Sequence, residues 1–310
     1  MNKYSKAEIL QKMEEEGVEF IRLQFTDMFG VLKNIAVPAS RLIKVLENNC
    51  TIDCASLDGF VNGEEEYLYL KPDLDTFAIL PWRPQNGKVA RFLCDICRED
   101  GSEYEISSRW ILKKSLERAA SMGYTFQVNP ECEFFLFHTD DNGLPTTLTH
   151  EKAGYLDTSP VDLGENTRRD IILTLEKMGY EIESSHHEIA SAQHEIDFSY
   201  EDALGTADKL MTFKMTVRTI AKRYGLHATF MPKPRQEING SGMHLNMCLL
   251  KDHKNVFTEE DGELSRTGEA FIAGIFQHIA GMTAILNPLV NSYKRLVPGF
   301  EAPSDVTWSR

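Results

Sequence analysis

Residues 179–197 read GYEIESSHHEIASAQHEID. Gly179 follows an amphipathic stretch, and glycine is the residue that accepts the left-handed conformation ending a helix. A short strand-like segment comes next. The same order of helix, glycine and strand recurs at Gly123 before YTFQV and at Gly225 before LHATFM, which predicts a large sheet backed by helices. Within the stretch, Glu188 and Glu195 are each preceded by histidine and followed by isoleucine. A turn at Ala190–Ala192 would set the two glutamates on neighbouring arms, where they can converge. The zinc-protease order H-E-x-x-H fails, because Ile, Ala and Ser follow Glu188.

Upstream, Asn129-Pro130-Glu131-Cys132-Glu133-Phe134-Phe135-Leu136-Phe137 places two glutamates two residues apart on an expected strand, so both carboxylates leave one face. Two anions this close need a cation or a wet face, and both readings stand. Downstream, Asn239-Gly240-Ser241-Gly242 leads into an alternating strand with His244, Asn246 and Cys248 on one face. The other face, Met243, Leu245, Met247 and Leu249, is expected in the core. Taken alone His244 is an ordinary hydrogen-bonded histidine, and the glycines let backbone N–H groups approach a ligand. The segment Asn291–Pro303 carries the basic pair Lys294-Arg295 and a later acid, Glu301, and on its own reads as a surface loop. So does Thr139–Asn166, with its Asp140-Asp141-Asn142-Gly143 turn.

The first hundred residues differ in pattern. Ile21, Leu23 and Phe25 alternate with Arg22, Gln24 and Thr26 in a strand pair over 19–38, broken at Asp27–Gly30. Further short strands around YLYL and KVARFLCDI predict a small mixed sheet with the opening helix packed on it. A long helix is expected over Arg266–Leu286. The boundary between the two domains is set at 104/105, giving 1–104 and 105–310.

The 310 residues are 42% hydrophobic and 26% charged, with a formal net charge of -14. That balance fits a globular protein and repels phosphate backbones, so no nucleic-acid partner is expected. The N-terminal helix lacks an apolar signal region, and no uncharged run looks long enough to span a bilayer, so a cytoplasmic location without membrane contact is expected. The six cysteines are scattered and expected reduced; Cys50, Cys54, Cys94 and Cys97 are not expected to hold zinc. Four glutamates and a histidine point instead to hard divalent cations, magnesium or manganese. From the residues alone, the class is a metal-dependent phosphoryl-transfer or hydrolytic enzyme.

Together, IRLQFTD, KVARFLCDI, PECEFFLF, DLGEN with RRDI, SHHEIASAQHEIDF, LHATFMPKP, NGSGMH and NSYKRLVPGFEAP resemble the type I glutamine synthetases, in the family's order and over nearly the whole chain. The resemblance implies an α+β fold: a small β-grasp-like N-terminal domain and a catalytic domain whose curved antiparallel sheet, backed by helices, forms a funnel. It implies ATP-dependent ligation of ammonia to L-glutamate, with two Mg2+ or Mn2+ ions per active site and ATP as substrate. By that similarity Glu133, Glu188 and Glu195 hold one metal, and Glu131 and His244 contribute to the second. Glu183, Tyr200 and Cys248 lie at the nucleotide, Asn239 and Gly240 at glutamate, and Arg295 at its carboxylate or the transferred phosphate. Glu301 resembles the flap acid, and Asp53 the acid that takes a proton from ammonium in a neighbouring subunit's site. The family assembles as a dodecamer of two hexameric rings.

Departures accompany the match. Asp53-Cys54-Ala55-Ser56 replaces the usual D-G-S-S, Asn62 stands where relatives carry a regulatory arginine, Cys248 replaces a serine, and Ser191-Ala192 replaces Pro-Gly. The chain is also expected to stop before the family's later phosphate-binding arginines and its last metal-ligating glutamate, and so to turn over little by itself. A γ-glutamyl ligase for another amine and a non-catalytic relative are the alternatives.

Overall fold

The structure, a computed structural model, describes residues 4–47, 50–57, 59, 67–83, 86–303 and 305–308; Asn62 lies outside them. Contacts divide the chain into two compact units, Met1–Arg118 and Ala119–Arg310.

In the first unit, Ser5 starts helix α1 (Lys6–Glu15). Its hydroxyl accepts from the Glu8 N–H at 3.3 Å while the Glu8 carboxylate accepts from the Ser5 N–H at 2.7 Å, a reciprocal cap. Ile9 and Met13, one turn apart, are buried against the sheet. Strands β1 (Val18–Thr26) and β2 (Leu32–Pro38) pair antiparallel, and the turn between them is held by Asp27, whose Oδ1 accepts from Phe29 and Val31 N–H groups at 2.9 Å. Ile21, Leu23 and Phe25 are buried, as their alternation requires. Helix α2 (Leu42–Leu46), β3 (Thr51–Asp53), β4 (Tyr67–Pro72), β5 (Ala78–Ile79) and β6 (Lys88–Cys97) follow. The sheet runs β2-β1-β6-β4-β3 with β5 on β6, and it is mixed because β1 and β6 are parallel. Leu68, Leu70 and Phe92 are fully buried in its core, where truncating Phe92 to alanine would cost about 3–5 kcal/mol.

Helix α3 (Ser108–Ser121) contains the division between the units. Its buried Arg109 pairs with Asp95 at 2.5 Å and Asp73 at 2.7 Å, and Lys113 adds a contact to Asp95 at 2.6 Å. Burial alone would raise the Asp95 carboxyl, but these two cations outweigh it and hold it below the usual range.

The second unit is built on β7 (Thr125–His138), which pairs with β9 (Gln193–Phe198), β10 (Glu201–Asp202), β11 (Leu226–Thr229) and β12 (Met243–Lys251); β8 (Ile182–His187) joins β9, and β13 (Lys254–Asn255) joins β12. Every pairing in this seven-stranded sheet is antiparallel. Helices α4 (Glu165–Glu176) and α5 (Ala203–Arg223) back it, and Phe213 of α5 meets Phe134 and Phe198 edge-on. Gly123, Gly179 and Gly225 each take positive φ at a helix end. Helices α6 (Arg266–Leu286) and α7 (Val290–Arg295) complete the unit.

Four expectations need correction. The Met243, Leu245 and Met247 face of β12 is about 40% exposed, and only Leu249 is buried, because no described element covers that side of the strand. Residues 290–295 form α7 rather than loop. The polar stretch 139–166 is not all surface: Glu151, Ala153 and Asp162 are buried in it. Finally, α6 is by length and composition apolar enough to cross a membrane, since its only described charges, Arg266 and Glu269, fall in the first turn.

Candidate active site

Antiparallel pairing brings the acids together. On β7 and β9, Glu133 lies opposite Glu195 and Glu131 opposite Asp197; His186 on β8 lies opposite Glu195, and His244 on β12 opposite Glu131. The period of two sends all of these to one face of the sheet. Beyond β8 the chain turns through Ala190–Ala192, and Glu188 swings back until His186, Glu188 and Glu195 offer ligand atoms within 4.8 Å of one another. The face lines an open cavity of about 500 Å³, whose far side is Asn239, Gly240, Arg295, Phe300 and Glu301.

Its charge is unbalanced. Six carboxylates (Glu131, Glu133, Glu188, Glu195, Asp197 and Glu301) face one guanidinium, Arg295, and two imidazoles, His186 and His244. Burial, then Asp197, Glu133 and Glu188, push the Glu195 carboxyl up to about 9. Burial also raises Glu133, followed by Glu188, even though the Gly242 N–H (2.8 Å) and the Gln193 amide (2.6 Å) donate to it. One oxygen of Asp197, Oδ1, is buried with no hydrogen-bond partner. His186 Nε2 lies 2.7 Å from Glu188, and Glu131 is held by His244 Nδ1 at 3.2 Å and Asn246 at 2.6 Å. Carboxylates crowded until one prefers its proton, with an orphaned oxygen beside them, fit a hard divalent cation well.

Nine of the residues singled out from sequence line this cavity: Glu131, Glu133, Glu188, Glu195, Asn239, Gly240, His244, Arg295 and Glu301. Asn239 donates to Glu301 at 2.6 Å, and Glu301 itself has φ +55, a conformation unfavourable for a residue with a side chain. Glu183, Tyr200 and Cys248 are outside the lining. Glu183 accepts from Asn129 at 3.2 Å, Tyr200 lines a neighbouring pocket of about 340 Å³, and burial, then Cys248, Glu183 and Glu131, push the Tyr200 phenol up, so these groups share one neighbourhood. Asp53 belongs to the first unit, where it accepts from Ala55 N–H at 2.8 Å and the Ser56 hydroxyl at 3.0 Å.

Sequence reasoning passed over Tyr155, His186, Gln193, Asp197 and Phe300. For Gln193 and Asp197 the signal was present: they share the parity of Glu195 on β9. Behind the same strands lies a second cluster that no pattern announced, Glu151, Asp162, His187 and His194, all buried and within 4.8 Å. Arg168 of α4 neutralises it, with Nη1 2.8 Å from both Asp162 and His194 Nδ1.

The fold and cavity define an α+β protein of two units, the larger carrying a carboxylate-walled site of the kind divalent cations occupy. Residues 17–99 match the glutamine synthetase β-grasp domain and residues 105–310 the glutamine synthetase catalytic domain, and the chain belongs to the glutamine synthetase family. A glutamine synthetase of Clostridium saccharobutylicum is 58% identical over 311 residues, covering 100% of this chain and 70% of that protein. One from Staphylococcus epidermidis is 52% identical, covering 99% of this chain and 69% of its own length. The cryo-electron-microscopy structure of Plasmodium falciparum glutamine synthetase superposes with a TM-score of 0.88 at 28% identity, over 97% of this chain and 65% of that one. A GmaS complex with ADP gives 0.84 at 30% identity, over 96% of this chain and 68% of that one. The chain thus spans 65% to 70% of the length of these relatives.

Proposed function

We propose that the chain carries the active site of a glutamate–ammonia ligase, which joins ammonia to the γ-carboxylate of L-glutamate with ATP by way of γ-glutamyl phosphate. The observation that carries the reading is the cavity in which Glu133, Glu188 and Glu195 converge and Glu195 is driven up to about 9. Those three would hold one Mg2+ or Mn2+, and Glu131 with His244 would contribute to a second. When bound, such ions gather phosphate oxygens and screen the repulsion between ATP and the incoming carboxylate.

Arg295 offers a planar guanidinium to the glutamate carboxylate or the transferred phosphate. Asn239 and Gly240 bind glutamate, and the 2.6 Å bond from Asn239 orients Glu301. Glu301 and Asp53 supply negative charge that attracts ammonium and takes its proton. Glu183, Tyr200 and Cys248 face the nucleotide. Assembly as two stacked hexameric rings and a cytoplasmic location complete the proposal, as does the domain boundary at 104/105.

Ammonium-dependent ADP release tests it. The assay is run on these 310 residues and on a fusion to the part of the Clostridium saccharobutylicum relative that they do not span. The fusion is expected to release ADP only with glutamate and ammonium together, and Arg295→Ala should lower the rate by about 10²–10³. A fusion that binds manganese but never releases ADP overturns the ligase reading, and equal rates with methylamine would point to a broader amine acceptor.

A further inference from the structure

Glu151 lies in the stretch that sequence patterning reads as surface loop, yet it is 6% exposed and each of its oxygens is used. Oε1 accepts from His187 Nε2 at 2.7 Å and from the Ala192 N–H at 2.6 Å; Oε2 accepts from the Leu163 N–H at 2.7 Å. His187 ends β8 and Ala192 immediately precedes β9, so a single oxygen ties the two arms of the hairpin that carries Glu188 and Glu195. We propose that Glu151 is a positioning residue for the cation site, setting the opening of this hairpin through His187 and the Ala192 amide. The inference rests on the cation-site reading above.

Two short paths connect Glu151 to the carboxylates of the cavity. Along the first, His187 Nδ1 donates to the Glu188 carbonyl at 2.6 Å, so two hydrogen bonds separate Glu151 from the backbone of a proposed ligand. Along the second, Ala192 is held at φ +66, which alanine seldom adopts, and its bond to Glu151 helps offset that cost. Ala192 in turn places Gln193, whose amide donates to Glu133 at 2.6 Å and to the Gly240 carbonyl at 3.2 Å. Without Glu151, two buried donors lose their acceptor, and the turn has reason to relax. Magnesium and manganese demand close ligand geometry, so a small change in the separation of Glu188 from Glu133 is felt at the ion.

The rear cluster carries its own positive charge in Arg168. Glu151 pairs with His187 and Asp162 with Arg168, and the unpartnered His194 Nε2 is pressed against Gly164, where an added Cβ would lie 2.4 Å away.

The test is manganese affinity, by electron paramagnetic resonance and calorimetry, on wild type, Glu188→Gln, Glu151→Ala, Glu151→Gln and a control, Asp95→Asn, which weakens the first unit only. Glu151→Ala is expected to bind manganese about 10- to 100-fold more weakly, the usual cost of losing a group that orients a ligand, and Glu151→Gln, which keeps the acceptor oxygen, should recover most of it. Asp95→Asn should lower the melting temperature and leave manganese affinity alone, which separates positioning from mere stability. If Glu151→Ala does not fold, His187→Phe, which fills the space without either hydrogen bond, is judged by the same measure. Affinity within about threefold of wild type in the folded variant, against that expected range, overturns the positioning role. Wild type and Glu188→Gln binding alike would instead bring down the cation site itself.

Discussion

Strands β8 and β9 carry an acid–histidine cluster on each face, and neighbouring residues divide between them: His186 and Glu195 look into the cavity, His187 and His194 toward the helices. At the rear, two carboxylates meet positive charge and amides, although Asp162 Oδ2 meets Arg168 only as an ion pair, without a hydrogen bond. Arg168 supplies a full positive charge, and amides of Ala192, Leu163 and Gly164 supply the rest. At the front, six acids share one arginine, and an oxygen of Asp197 has no partner. The ligand types are nearly the same on both faces. What distinguishes the two clusters is therefore the balance of charge, two acids with an arginine at the rear against six acids with one arginine at the front, and composition alone does not reveal it.

The sharpest way to break this contrast is to remove the rear charge. Arg168→Met removes the guanidinium paired with the buried Asp162, and unfolding in urea should show a loss of about 3–5 kcal/mol. Should the variant bind zinc at the rear instead, occupancy rather than charge balance would explain the difference. At the front, Glu188→Gln is expected to weaken manganese binding on the order of 10²-fold, since a unit charge about 4 Å from an ion in a partly buried site is worth a few kcal/mol. Unchanged affinity by calorimetry would take Glu188 out of the site. Gly164→Ala probes the packing around His194: its Cβ would fall 2.4 Å from the ring, so a loss of about 1–3 kcal/mol in denaturant unfolding is expected, with manganese affinity kept.

The smallest effect per step concerns protons. Glu195 is raised in the folded chain to about 9, so it favours folding while protonated and that contribution fades as pH rises from the ordinary carboxyl range toward 9. The metal-free chain should thus melt at lower temperature as pH rises, other groups aside. Manganese competes with the same proton, and its affinity should climb by up to about tenfold per pH unit below 9, then level. A flat affinity profile between pH 6 and 8 would mean that Glu195 is already ionised without metal.

Much of the front face was legible because strand alternation reports directly on which side chains share a surface. Glu131 and Glu133, and Gln193, Glu195 and Asp197, follow from parity once the strands are recognised. Helix ends were legible for a similar local reason, at Gly123, Gly179 and Gly225. Glu151 was not. It sits 36 residues from His187 in an irregular segment, and nothing within a window of neighbours marks it as buried. The exposed face of β12 went unread because an alternating apolar pattern states a preference for burial and cannot say whether another element arrives to cover it. Arg168 was visible as part of RRDI, but its partners, Asp162 in the segment before α4 and His194 on β9, are fixed only by packing.

The cysteines offer a practical opening. Cys50, Cys54, Cys94, Cys97 and Cys132 are buried, and burial pushes the Cys132 thiol up to about 12; burial raises the Cys248 thiol too, but Cys248 is only half-buried, on the strand that also carries His244. An alkylating dye added under native conditions should therefore attach once per chain, at Cys248. Because that sulfur lies in the neighbourhood of Tyr200 and Glu183, a fluorescent dye there would test the proposed nucleotide site, without a single engineered residue.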